Sequence, residues 1–357
     1  MSLPKSFKAA VLTGADAPIE VRDREPETAE LQPEEVAVKI SATAINPVDW
    51  KLRDYPSILF GDKLPAILGT DAAGTISAKG SAVTTFNVGD RVFFQGHLGK
   101  FDTASFQEYA RTDAAVVGHL PSNISDEEGA GVSLAAITGA IGWYHAVGRG
   151  LAAPWEDKNA GKGKAIIVLG GSASVGQYTV QFARLSGYSK IVTNASSAHK
   201  EHLQKLGAHA VLDRKTQNSA ADFIDAIGEG VELDGVFDTI GTVETQSLAV
   251  EILQKAKSVT SSGAVVVCTH YAEAKAVELG KKEGERQVEI KGILAVGPAK
   301  EYRNVSEPFY VHVSKWLESG EFVPNKPLVI EGGVNGIEEA LKKQKAGVSG
   351  AKVVVKF

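Results

Sequence analysis

A small-residue turn between an apolar run and a helical pattern carries the most specific chemistry in the chain. Ala165 to Leu169 is apolar, Gly170 to Gly176 is nearly free of bulk, and a helical pattern follows from Gln177. The first amides of a helix have no acceptor inside it. They can therefore bind a phosphate, and the helix dipole favours the negative charge. Gly171, Ser172, Ala173, Ser174, Val175 and Gly176 fit the dinucleotide pattern G-x-G-x-x-G, with Ala173 in place of the middle glycine. The alternative is an ordinary strand-to-helix turn. The flanking strand and helix favour nucleotide binding.

The residues after the next strand select the cofactor. An NAD site wants Asp or Glu there, bonded to the ribose hydroxyls. This chain has Asn194, Ala195, Ser196 and Ser197, with no acid. Small hydroxyl residues leave room for a 2′-phosphate, and Lys200 and Arg214 could supply positive charge. The alternative for Lys200 is a plain exposed helix residue. NADPH is the expected cofactor. His270 and Tyr271 follow the strand ending at Cys268, on the edge where open α/β sheets bind ligands. They either line the nicotinamide or substrate region or form a surface loop pair.

Composition narrows the classes. With 357 residues, 43% hydrophobic and 23% charged, the chain can build about two globular domains. A net charge of -5 gives no electrostatic case for nucleic acid or an anionic membrane. The single cysteine, Cys268, excludes a disulfide within the chain and a four-cysteine zinc site. Lying in an apolar run, it reads as a small buried side chain rather than a nucleophile. His97, His119, His145 and His270 show no paired ligand spacing. No secretory signal is visible, and no apolar stretch approaches the ~18 residues of a membrane helix, so the expected location is cytoplasmic.

Two textures position these residues. Phe7 to Leu12, Ile19 to Arg22, Glu34 to Ala44, Gly69 to Gly80 and Arg91 to Gln95 read as short strands, giving a β-rich region to about residue 120. Ser125 caps a helical pattern, and Ala130 to Ala146 suits a buried helix. From Ala165 onward strands and helices alternate: strands at Lys190 to Thr193, Ala210 to Leu212, Gly235 to Thr239 and Gly263 to Cys268, with helices between them. That alternation predicts a parallel sheet wound on both faces. Helices at Val305 to Glu318 and Ile337 to Ala346 precede a last strand, Lys352 to Phe357, expected to return to the β-rich region.

The chain resembles zinc-independent members of the medium-chain dehydrogenase/reductase superfamily. The likeness runs through Ala44 to Lys51, Pro65 to Gly74, Val88 to Val92, Gly170 to Gly176 and Asp238 to Gly241. Within that superfamily it is similar to quinone reductases, enoyl reductases and fungal trans-acting enoyl reductases. The last group is matched by Asn46-Pro47-Val48-Asp49-Trp50-Lys51 and the closing Ser349-Gly350-Ala351-Lys352. The resemblance implies a doubly wound Rossmann-type sheet at 126–299 and a β-rich GroES-like domain from 1–125 and 300–357. The active site is then expected in the cleft, and the protein as a monomer or homodimer. Zinc-dependent relatives carry Cys near Asn46 and Gly-His-Glu near Gly69. Here Asn46 and Gly69-Thr70-Asp71 stand there, so no metal is expected.

Without a metal, the implied chemistry is direct hydride transfer from NADPH to an electron-poor carbon, with a donor for the developing oxyanion. Lys51 offers charge, the alternative being a solvent-exposed lysine. Tyr55 offers a hydroxyl near where enoyl reductases place a catalytic Tyr, the alternative being a surface loop aromatic. Thr138 matches the residue placed beside the nicotinamide, and Asn46, Val48, Lys51, Ile240, Val348 and Ser349 fall where the resemblance puts cofactor contacts. Asp71 reads as fixing a turn and Asp49 as a helix-start cap. The expected function is reduction of an enone or enoyl thioester. A quinone reductase and a catalytically silent NADPH-binding scaffold are the alternatives.

Overall fold

The first strands form from alternating and apolar runs. β1 (Phe7–Leu12) pairs antiparallel with β2 (Glu20–Arg24), and β3 (Glu35–Ala44) follows. Asn46 then leads into α1 (Pro47–Asp54), with Pro47 at the first helical position, where a missing N–H costs nothing. β4 (Ala66–Ile67), β5 (Asp71–Lys79), β6 (Arg91–Gln95), β7 (Tyr109–Asp113) and β8 (Val117–His119) complete the N-terminal strands. The Ser125 hydroxyl accepts the Glu128 N–H at 3.2 Å and caps α2 (Asp126–Ala130). The sequence suggests one helix over Ala130 to Ala146. Instead the Gly131 N–H turns back to the Glu128 carbonyl and closes α2, and α3 (Ser133–Tyr144) starts afresh.

Next come β9 (Lys164–Leu169), α4 (Ser174–Leu185), β10 (Lys190–Ala195), α5 (Lys200–Leu206), β11 (Ala210–Asp213) and α6 (Ala220–Ile227). β12 (Glu232–Asp238), α7 (Val243–Lys255), β13 (Ala264–Cys268), α8 (Ala274–Gly280) and β14 (Val288–Gly292) follow. α9 (Arg303–Ser319), β15 (Pro327–Ile330), α10 (Ile337–Lys345) and β16 (Lys352–Lys356) close the chain. This computed structural model describes every residue except Met1, Asp16, Asp62, Ser262 and Gly263. The expected strand start at Gly263 therefore lies outside the described residues.

The chain divides into two units. One holds the chain up to Leu134 and again from Val296 on; the other is Ala135–Ala295. In the first, a seven-stranded sheet runs β15-β16-β3-β5-β6-β8, with β7 also on β3, beside a three-stranded sheet β2-β1-β4. β16 pairs antiparallel with β3, placing Val354 opposite Ala44. In the second, a six-stranded parallel sheet runs β11-β10-β9-β12-β13-β14. Ala165 to Leu169 of central β9 are fully buried, as an apolar strand covered on both faces must be. α8 and β14 were not legible in the sequence; β14 alternates charged and apolar residues on a sheet edge.

Candidate active site

The glycine turn is built by close approach. Gly170 adopts φ +79°, and a Cβ on Gly171 would lie 2.1 Å from the Thr193 hydroxyl oxygen. A Cβ on Gly176 would lie 2.3 Å from the Gly170 carbonyl oxygen. Both positions therefore need glycine. Ala173 is the extended residue preceding α4, at φ -65° and ψ 157°, which alanine accepts without strain. α4 starts at Ser174, three residues before the expected Gln177, so Ser174, Val175 and Gly176 form its first turn. Helix geometry alone supplies no acceptor to the amides there. Ser172 to Val175 are half-buried.

Asn194 fastens this turn. Its Oδ1 accepts the Gly170 N–H at 2.8 Å, and its carbonyl accepts the Gly171 N–H at 3.0 Å. Its Nδ2 donates to Asn218 Oδ1 at 2.9 Å. The side chain where an acid was sought is thus turned back onto the glycines. Gln177 adds a second tie, donating to the Ser172 carbonyl at 3.1 Å while its Oε1 lies 3.0 Å from His202 Nε2. Gln177 Oε1 can only accept, so Nε2 of His202 carries the proton. Burial holds the His202 imidazole below its usual pKa. Neither Asn194 nor Gln177 was picked out in the sequence as a site residue, since an amide in a strand or helix gives no signal of its own.

Ser196 is half-buried, and Ser197, Lys200 and Arg214 are exposed. Among the described residues neither Lys200 nor Arg214 has an ion-pair partner. The Arg214 N–H donates to the Ala195 carbonyl at 3.0 Å, joining the ends of β11 and β10. Further along the same sheet edge, buried Asp238 accepts the N–H groups of Ile240 and Gly241 at 2.9 and 3.1 Å and the Thr245 hydroxyl at 2.7 Å. Ile240 is left 46% exposed. His270 is exposed and meets the exposed Tyr271 ring edge-on. Cys268 is buried, and burial pushes its thiol up to about 11. Thr138 is buried in α3.

In the other unit, α1 carries the expected donors. Lys51 is half-buried with its Nζ 5.8 Å from the Trp50 ring centre. Its neighbours Arg53 and Lys345 are both paired with Asp54, at 2.7 Å each, whereas Lys51 has no carboxylate partner among the described residues. Tyr55 ends the helix, 60% exposed. Val48 and Val348 pack against the core of this unit, and Ser349 is exposed.

Behind α1 lies a buried polar centre. Asn46 Nδ2 donates to Asp71 Oδ2 at 2.9 Å and to Thr70 Oγ1 at 3.2 Å. Asn46 Oδ1 accepts from Lys352 Nζ at 2.5 Å, and Lys352 pairs with Asp71 at 3.3 Å. Asp71 Oδ1 accepts the Leu134 N–H at 2.6 Å. Asp71 is thus the opening residue of β5 and a hub for three elements, rather than the turn-fixing residue expected; the pairing of β3 with β5 sets it beside Ala44. Asp49 Oδ2 accepts the Asn46 N–H at 2.7 Å, as a helix-start residue does, but its Oδ1 is buried without a partner. Burial raises the Asp49 carboxyl to about 7 and also raises that of Asp71. Among the described residues no group of three or more His, Cys, Asp or Glu is placed to hold a metal ion. No helix there is long and apolar enough to cross a membrane.

Comparison with known proteins agrees with this architecture. Residues 32–126 match the alcohol dehydrogenase GroES-like domain, and residues 174–308 match the zinc-binding dehydrogenase domain. Trans-enoyl reductase tndF of Aspergillus flavipes is 31% identical over 366 residues, covering 99% of each chain. The chain belongs to the medium-chain dehydrogenase/reductase family. Another relative in it, trans-enoyl reductase himH of Aspergillus japonicus, is 30% identical over 335 residues and 90% of each chain. The quinone oxidoreductase of Coxiella burnetii shares the fold, with a TM-score of 0.73 at 20% identity over 99% of this chain and 100% of its own.

Proposed function

We propose that this medium-chain dehydrogenase/reductase is an NADPH-dependent, metal-free reductase of conjugated enoyl or enone substrates. The observation that carries the reading is the buried centre at Asn46. Its carboxamide, the Thr70 hydroxyl, Asp71 and the Lys352 ammonium satisfy one another. Zinc wants thiolate, imidazole or carboxylate ligands at tetrahedral distances. The one carboxylate here, Asp71, is taken up by the Lys352 ammonium and the Asn46 amide, and an ammonium, an amide and a hydroxyl do not fit zinc, so no step runs through a metal. The trans-enoyl reductase relatives support the substrate class.

The second unit suits a dinucleotide. Gly171 and Gly176 leave room a Cβ would fill, and the first turn of α4 offers amides to a pyrophosphate. With no acid after β10, Ser196, Ser197, Lys200 and Arg214 would hold a 2′-phosphate, and Ile240, His270, Thr138, Val48, Val348 and Ser349 are the further proposed contacts; Asn46, its carboxamide spent in the buried centre, bears on the cofactor only by placing α1. When bound, NADPH supplies the hydride. The residues here do the rest: Lys51 polarises the substrate carbonyl, drawing the electron pair onto oxygen as the distal carbon takes the hydride. Tyr55 then donates a proton to the carbon next to the carbonyl, saturating the bond. Purified protein tested for NADPH consumption against crotonyl thioesters and 1,4-quinones checks the reading. Turnover with the thioester at the higher kcat/KM is expected; turnover with neither overturns it.

A further inference from the structure

Asparagine before a helix ordinarily turns its side-chain oxygen onto the amides of the first turn. Asn46 does not. Its Oδ1 goes to Lys352 and its Nδ2 to Asp71 and Thr70, so the carboxamide is drawn sideways into the buried centre. The amide has one possible orientation there, because an ammonium only donates and a carboxylate only accepts. Asn46, Thr70, Asp71 and Lys352 are each 3% exposed or less. Lys352, the buried one of two lysines that flank three valines in KVVVK, is thus held in place by one carboxylate and one amide.

The far end of α1 is also clamped. Asp54 takes Lys345 of α10, and Arg53 takes Glu338 of the same helix at 3.2 Å. A helix of 8 residues fixed at both ends has little freedom to shift, and Lys51 on it is half-buried with no carboxylate partner among the described residues.

We propose that Lys352 is a positioning residue for the reaction: held by Asp71, it locks the Asn46 carboxamide and so fixes the start of α1, which sets where Lys51 presents its charge. The inference rests on the reading of Lys51 as the polarising cation. Lys352 touches neither substrate nor cofactor in this account and acts only through α1.

A double-mutant cycle tests it. Wild type, Lys352→Met, Lys51→Ala and the double variant are compared in steady-state enoyl thioester reduction, with NADPH affinity measured separately. Lys352→Met is expected to lower kcat about tenfold while KM and the NADPH Kd stay within about twofold. On the Lys51→Ala background the same change is expected to cost nothing further, since the group it positions is gone. An equal loss of kcat on both backgrounds, or a loss spread over kcat, KM and Kd together, overturns the inference. Where Lys352→Met alone leaves too little folded protein, the neutral pair Asp71→Asn with Lys352→Met takes its place in both backgrounds, with the same two outcomes. Failure of the underlying reading is a separate result: the wild-type chain would then not reduce the thioester at all.

Discussion

The two polar regions of this chain are built in opposite ways. Around the glycine turn, Ser172 to Val175 stay half-buried and Lys200 and Arg214 stand exposed, neither cation with an ion-pair partner among the described residues. Around Asn46, by contrast, Thr70, Asp71 and Lys352 are buried and spend their hydrogen bonds on one another. The first region is completed by what binds. The second has its hydrogen bonds made beforehand and, on the inference above, serves by holding α1 still. Substitutions in the open region should therefore act on affinity, and substitutions in the closed region on stability and on kcat.

The largest effect is expected in the closed region. Lys352→Met leaves the Asp71 carboxylate buried and unpaired, a change that costs about 3–5 kcal/mol. Chemical denaturation should show that loss, and adding Asp71→Asn should recover much of it. In the open region, Gly171→Val pushes a side chain into Thr193, so NADPH binding should weaken about ten- to hundredfold in a titration, from overpacking of ~1–3 kcal/mol. Smaller again, replacing Lys200 and Arg214 together by Ala should weaken NADPH by about tenfold and leave NADH unchanged, since only the former carries the 2′-phosphate they would meet. An unchanged preference would remove both from that site.

A separate effect, read in the closed region, is a pH dependence of stability. Asp49 is raised by burial from 3.8 to about 7, facing Asp71 and Lys352. The folded chain therefore holds a proton that the unfolded chain has lost above about pH 4. That contribution is fully present below the unfolded pKa and declines as pH rises through the folded value. The raised Asp71 carboxyl acts in the same direction. The thermal midpoint should thus fall between about pH 4 and pH 7, and Asp49→Asn should flatten the slope.

Much of this was legible in the sequence because it rests on local patterns. The apolar run of β9, the glycines after it and the strand–helix alternation need no tertiary information. The missing acid after β10 was equally readable. What the sequence could not give was where amide side chains point. Asn194 was visible as a non-acid, but its bond to Gly170 depends on the parallel register of β10 beside β9. Lys352 lies 306 residues from Asn46, and only the pairing of β16 with β3 brings them together. Its sequence signals were its place in the closing Ser349-Gly350-Ala351-Lys352 and a charge opening an apolar run, which a solvated strand end produces as readily. Asp71 was singled out, but its partners come from α3 and β16 as well as from the Asn46 turn, so its role could not follow from its own neighbours.

Metal-free hydride transfer to an enoyl substrate is the central claim. Its most direct test is turnover of a crotonyl thioester by NADPH, measured on protein whose zinc content is determined before and after exhaustive dialysis against a chelator. The account predicts undiminished kcat with far less than one zinc per chain. Activity that disappears on chelation and returns when zinc is added would contradict it.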